Sequence, residues 1–258
     1  MPERDLALLL DVAQAAGDIA MRYFRNQPRV WDKPGQGPVT EADIAVNDML
    51  RNRLRQARPS YGWLSEETPD SAERLDCEHL FLIDPIDGTQ AFIAGDNSFS
   101  HSLAVARNGE VTAAVVYLPA KDRLYAASQH SPATCNGQPI HCSARPGIMD
   151  ATLLTPKANM DPDLWNGPVP DVTRHFRASV AWRLCLVAEG AFDAMLSLRQ
   201  AWEWDIAAGA LIAARAGAAV SNRRGEALHF NAETPRSNGV LVASPGLHRE
   251  LLARLRPE

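Results

Sequence analysis

The stretch from Leu82 to Phe92 reads LIDPIDGTQAF, an apolar run that ends in two carboxylates, Asp84 and Asp87, three positions apart. The run before it, HLFLI at 79–83, has the length and apolarity of a buried strand. Pro85 has no N–H and bars a further ladder hydrogen bond, so the strand is expected to end at Asp84. Strand ends are where α/β sheets present functional groups. Gly88 permits a tight turn, and Thr89 is placed to cap a short helix over TQAFIA. A helix start offers free N–H groups to an anion. One short segment thus sets two ligands for a hard cation beside a phosphate cradle, the combination a metal-assisted phosphatase needs. An isolated D-x-x-D is more often a pair of turn caps; the embedding DPIDGT is far more specific.

Outward from this segment, three more acidic positions fall at element ends. Thr40 and Asp43 form a T-x-x-D at a helix start, the pattern of a capping box. Glu66 and Glu67 end the short strand of GWLSEET, where a solvated acidic loop is the plain alternative. Asp205 opens the small-residue helix WEWDIAAGALIAARAG; alone it would read as an N-cap, yet the Ala/Gly run lets that helix approach a neighbour closely. Haloacid dehalogenase phosphatases carry D-x-D-G-T, with a nucleophilic Asp two places before the second Asp. Pro85 stands there in this chain, which argues against an aspartyl-phosphate route. The seven histidines show no H-E-x-x-H spacing, so zinc is not supported.

The remaining pattern is layered. Helical spacing carries the chain to about residue 26, and a Pro/Gly-rich loop, QPRVWDKPGQGP, leads to a second helix that stops at Pro59. From Ser100 to Ser128 a β-meander turns at Asn108-Gly109, a strong hairpin signal. Beyond Pro146 strands and helices alternate, among them a helix over AWRLCLVAEG and one from about Trp204 to Ala216 stopped by Gly217. The expected division is residues 1–145, carrying most candidate ligands, and 146–258, carrying Asp205. With 258 residues, 46% of them hydrophobic, and a net charge of −5, the chain suits a soluble globule rather than a binder of nucleic-acid polymers. No apolar run is long enough to span a membrane, and the acidic N-terminus lacks signal-peptide features. Four cysteines without C-x-x-C pairing point to buried thiols and a cytoplasmic location.

VTEAD, LSEE, DPIDGT and WEWDIAAG, in this order across nearly the whole chain, resemble the inositol monophosphatase superfamily, which includes the 3'(2'),5'-bisphosphate nucleotidases. The resemblance implies an α+β, layered αβαβα sandwich of the inositol monophosphatase and fructose-1,6-bisphosphatase type with two subdomains, a homodimer, and Li⁺-sensitive hydrolysis with two or three Mg²⁺ ions. Carried over by position, Glu66, Asp84 and the carbonyl of Ile86 would hold one ion, and Asp84, Asp87 and Asp205 a second. Glu66 would also help hold a third. Thr89, oriented by Asp43, would help activate the attacking water, while the N–H groups of Gly88 and Thr89 hold phosphate oxygens. All are oxygen donors, which Mg²⁺ prefers.

The resemblance implies a small phosphorylated substrate, and branch motifs address which one. Inositol-specific members carry a Glu seven residues before the last metal Asp; here that position is Leu198. WRLCLVAEG resembles the nucleotidase branch, with Arg183 where that branch often has Lys, a cation able to pair with a second phosphate. GTQAFI is also closer to that branch. The favoured substrate is 3'-phosphoadenosine 5'-phosphate, with inositol 1-phosphate and histidinol phosphate as alternatives, and a non-catalytic metal-binding regulator as the alternative of another class. Trp165 and Trp202 are expected to be packing residues, with stacking on a base as the competing role.

Overall fold

The computed structural model describes residues 2–33 and 37–256. Helix α1 (Pro2–Tyr23) leads to a hairpin, β1 (Val30–Lys33) and β2 (Gly37–Thr40). The expected loop is therefore partly strand; its residues 34–36 lie outside the described residues. Helix α2 (Glu41–Ala57) starts on the expected capping box: Thr40 accepts from the N–H of Ala42 and Asp43, and Asp43 accepts from the N–H of Thr40.

A seven-stranded sheet follows in sequence order: β3 (Gly62–Ser65), β4 (His79–Asp87), β5 (Ser100–Arg107), β6 (Glu110–Leu118), β7 (Arg123–Ser128), β8 (Thr134–Cys135) and β9 (Gln138–Pro139). Only β3 and β4 pair in parallel; the rest is antiparallel. Asn108 and Gly109 both take positive φ, 49° and 83°, as the tight β5–β6 turn requires. Helix α3 (Thr89–Ile93) lies in the β4–β5 connection.

The second half contributes β10 (Thr152–Leu154), β11 (Thr173–His175), helix α4 (Val180–Ala188), β12 (Ala194–Ser197), β13 (Ala201–Trp202), helix α5 (Glu203–Arg215), β14 (Ala219–Ser221), β15 (Arg236–Ser237), β16 (Val240–Ala243) and helix α6 (Pro245–Arg254). Five of these strands form a sheet in the order β11-β10-β12-β16-β14.

Strand periodicity sets the layers. On β4, Phe81 and Ile83 face a core built with Leu9 and Val12 of α1 and Leu50 of α2. Leu80 and Leu82 face the opposite way, into a core shared with Leu184 of α4, Ile206 of α5 and Val242 of β16. The far side of the five-stranded sheet packs Leu196 and Leu241 on Leu247 and Leu251 of α6. The order α1/α2, large sheet, α4/α5, small sheet, α6 is the expected αβαβα sandwich. No helix among the described residues is long and apolar enough to cross a membrane.

Candidate active site

Strand β4 does not stop at Asp84. Asp84 pairs with Ser102 and Asp87 with Ser100, so Pro85 and Ile86 together oppose the single residue His101 in a bulge. Proline's missing N–H is tolerated there because the bulge interrupts the ladder. The His101 side chain, fully buried, lies with Nδ1 2.5 Å from the Pro85 carbonyl. A carbonyl only accepts, so Nδ1 carries the proton, and burial holds the ring neutral by pushing its pKa down to about 4. Its Nε2 has no partner among the described residues. His101 carried no motif signal; only pairing register brings it to the bulge.

The bulge places two carboxylates in different surroundings. Asp87, 5% exposed, accepts from Ser179 Oγ (2.6 Å) and from the N–H groups of Val180 (3.0 Å) and Ala181 (2.6 Å). It sits on the first turn of α4, where the dipole favours an anion. These bonds tie the first half of the chain to the second and oppose the rise in pKa that burial imposes. Asp84, 2% exposed, has no hydrogen-bond partner at Oδ1 among the described residues. Burial, then the charges of Glu66, Asp87 and Asp205, push its pKa well up.

Asp205 is the third residue of α5; Trp202 is the N-cap and Asp205 makes no capping bond, so the capping reading is replaced. Helix α5 packs against α4 so closely that a Cβ on Gly209 would lie 2.6 Å from Leu184 Cβ, the close approach the Ala/Gly run predicts. Asp205 is half-buried; burial of its carboxylate first, then the charges of Asp87 and Glu66, push its pKa well up, while Arg183 and Arg199 oppose the shift. Glu66, half-buried after β3, is raised to about 7 by burial, with Lys33 of the hairpin opposing at 3.3 Å. Lys33 also pairs with Glu67 at 2.7 Å.

Gly88, not Thr89, is the N-cap of α3, at φ 96°. A Cβ there would meet Ser98 O at 3.1 Å and Ser179 N at 3.3 Å, so both backbone angle and space demand glycine. Thr89 instead sets its hydroxyl 3.3 Å from Asp43 Oδ1 and 3.1 Å from the Ile86 carbonyl. Asp43 is fully buried; that burial raises its pKa to about 6 against the hydrogen bonds from Thr40.

Glu66, Asp84, Ile86, Asp87, Gly88, Thr89, Arg183 and Asp205 line one cavity of about 640 Å³. Asp43 stands behind its wall and reaches it through Thr89. Among the described residues no three Asp, Glu, His or Cys side chains already close on one point as a finished metal cage. The donor set nevertheless suits a hard cation: all oxygen, mutually repelling, with Asp84 Oδ1 unpartnered.

The same cavity takes in the substrate side. Arg183 lines it and is 3% exposed, with Nε 3.3 Å from Ser179 O. Leu198 turns into the core beside α6, while its neighbours Ser197, Arg199 and Gln200 line the cavity. Trp165 is fully buried and donates to Asn159 O, as packing predicts. Trp202 has Trp204 stacked on it at 4.5 Å and Arg236 over it at 3.7 Å. Phe176, Arg199 and Arg236 also line the cavity and went unnoticed in the sequence, because they lie in segments without periodic or motif signal.

The family model for the inositol monophosphatase family matches residues 1–258. An inositol-1-monophosphatase of Rhizobium meliloti is 34% identical over 189 residues, covering 69% of this chain and 70% of that protein. The 3'(2'),5'-bisphosphate nucleotidase CysQ of Escherichia coli is 31% identical over 237 residues, covering 88% and 93%. Among solved structures, an IMPase of Thermotoga maritima superposes with a TM-score of 0.82 at 26% identity, covering 98% of this chain and 96% of that one. The whole-chain family match and the shared fold lead to one conclusion: the chain belongs to the inositol monophosphatase family and is a phosphatase.

Proposed function

We propose that the protein hydrolyses a phosphomonoester with water activated by Mg²⁺, and that its substrate is 3'-phosphoadenosine 5'-phosphate. Glu66, Asp84, the Ile86 carbonyl, Asp87 and Asp205 would hold two or three ions, whose charge acidifies bound water and steadies the leaving oxygen. Gly88 and Thr89 open α3, and helix-start N–H groups without a helical partner suit the equatorial phosphate oxygens. Water bonds to phosphorus as the ester P–O bond breaks, and the departing oxygen takes a proton from solvent to leave as the alcohol. The proton that water loses passes to Thr89 Oγ1 as that hydroxyl yields its own to Asp43 Oδ1, 3.3 Å away. A carboxyl raised to about 6 by burial is well matched to such an exchange near neutral pH. Family membership and this donor set together predict inhibition by Li⁺.

One observation carries the choice of substrate. The cavity that gathers the carboxylates is also lined by Arg183, Arg199 and Arg236, whereas Leu198 offers it no hydroxyl-binding oxygen. An ester with a second anionic group fits that distribution better than a neutral polyol. The test is kcat/KM for 3'-phosphoadenosine 5'-phosphate, inositol 1-phosphate and histidinol phosphate, each with Mg²⁺ and with chelator. The bisphosphate is expected to lead, and activity to vanish with chelator. A lead for inositol 1-phosphate would overturn the substrate assignment, and full activity in chelator would overturn the metal assignment.

A further inference from the structure

Two cavity residues have no function in the hydrolysis itself. Phe176, between β11 and α4, is 50% exposed, unusual for a phenylalanine on a cavity wall. One face of its ring is backed by Arg183, whose Cζ lies 5.1 Å from the ring centroid. Arg183 in turn is anchored from beneath by Ser179 O and faces no solvent. The arrangement is a braced aromatic plate with an open second face. Trp202, the other aromatic residue of the same wall, is covered on both faces by Trp204 and Arg236 and is closed to a ligand ring.

Arg199 stands on the turn between β12 and β13. It is exposed, lines the same cavity, and makes no hydrogen bond or ion pair among the described residues. Its charge is felt at both Asp205 and Arg183, which puts it beside the acidic floor. Arg236, by contrast, is held flat on Trp202 and hydrogen-bonds Gln200 at 3.3 Å. Arg199 is therefore a cavity cation with all of its donors unpaired among the described residues.

We propose that Phe176 and Arg199 form the leaving-group subsite: Phe176 stacks the purine ring and Arg199 pairs with the second phosphate. This rests on the nucleotide reading given above, and it moves the second-phosphate contact from Arg183, which becomes the positioning residue under Phe176, to Arg199. A cavity of about 640 Å³ has the volume of an ordinary small-ligand site. Stacking on an aromatic side chain is worth roughly 1 to 3 kcal/mol per base, or about 5- to 150-fold in kcat/KM.

The experiment compares wild type, Phe176→Ala and Arg199→Ala on three esters with Mg²⁺: 3'-phosphoadenosine 5'-phosphate, adenosine 3'-monophosphate and glycerol 2-phosphate. Phe176→Ala is expected to lower kcat/KM about tenfold or more for both adenosine esters and to leave glycerol 2-phosphate unchanged. Arg199→Ala should lower the bisphosphate about tenfold or more and the adenosine monophosphate little, with Arg199→Lys recovering part of the loss. Adenosine 5'-monophosphate binding by calorimetry supplies a readout without turnover, and should weaken in both alanine variants. If wild type prefers inositol 1-phosphate but adenosine 5'-monophosphate still binds through these residues, the substrate reading falls and the subsite stands. If wild type prefers the bisphosphate and both variants slow all three esters equally, the subsite is wrong and the substrate reading stands.

Discussion

Asp205→Asn should separate stability from catalysis. In the metal-free protein the Asp205 carboxylate is pushed up by burial and by the charges of Asp87 and Glu66, with Arg183 and Arg199 only partly opposing. A raised acid pKa means that ionisation costs folding free energy at neutral pH, about 1.4 kcal/mol per pK unit. Asp205 is half-buried against the cavity, so solvent screens much of this. The dipole of α5 returns a further ~0.3 to 1 kcal/mol to the charged form. The neutral amide is therefore expected to raise the metal-free Tm, at about 2 to 4 °C for each 1 kcal/mol relieved in a chain of this size. Catalysis should move the other way: losing even a residue that merely supports a metal ligand typically costs about 10- to 100-fold, and loss of a ligand should exceed that. Asp87→Asn supplies the control. The Asp87 carboxylate accepts three hydrogen bonds at the start of α4, and an amide there would point N–H at N–H or lose one oxygen. It should lose activity and also about 1.5 to 3 kcal/mol of stability. The assay is thermal unfolding in chelator and in saturating Mg²⁺, alongside phosphate release. A metal-free Tm for Asp205→Asn at or below wild type would refute the repulsion argument; near-normal turnover in either variant would refute the ligand assignment.

The pH dependence has an unusual sign. Burial raises Glu66 to about 7 and Asp43 to about 6, so the folded protein holds these protons more tightly than the unfolded chain. In chelator, stability should therefore rise as pH falls from about 8 to about 6.5, above the range in which the unfolded chain protonates His101 while the folded protein keeps it neutral, and the increment added by Mg²⁺ should shrink over the same window as Glu66 protonates; a metal-free Tm that drops across this window contradicts it. His101 should act by holding the Pro85 carbonyl in the bulge. Asparagine carries an amide N–H near the place of ring Nδ1, whereas glutamine reaches past it and leucine has no donor. His101→Asn should keep the Mg²⁺ concentration for half-maximal thermal stabilisation near wild type, and His101→Leu should raise it about tenfold, the cost of losing a supporting contact. Equal values for the two would show that the ring only fills space.

Much of this molecule can be read from local pattern. The helix caps at Thr40, the Asn108-Gly109 turn, the alternating faces of β4 and the small-residue face of α5 follow from residue type and spacing, since each is decided within a few positions of chain. Where local reasoning failed, pairing with distant chain decided the outcome. β4 continues past Pro85 because Ser100 is there to pair with Asp87, and Val30–Lys33 becomes a strand because Gly37–Thr40 lies against it.

For the site, DPIDGT, LSEE and WDIAAG by themselves named acidic residues that the fold gathers on one cavity, because carboxylates at element ends are recognisable by type and position. Which of those acids is restrained and which is left repelled could not be read there. Asp87 is satisfied by the first turn of α4, 92 to 94 positions away, while Asp84 Oδ1 has no partner among the described residues. The same holds on the substrate side. Arg183, Phe176 and Arg199 belong to three separate segments, and Leu198 and Arg199, adjacent in the chain, face core and cavity respectively. Electrostatics and side-chain direction depend on what lies within a few ångströms in space, and only the packed sandwich brings those neighbours together.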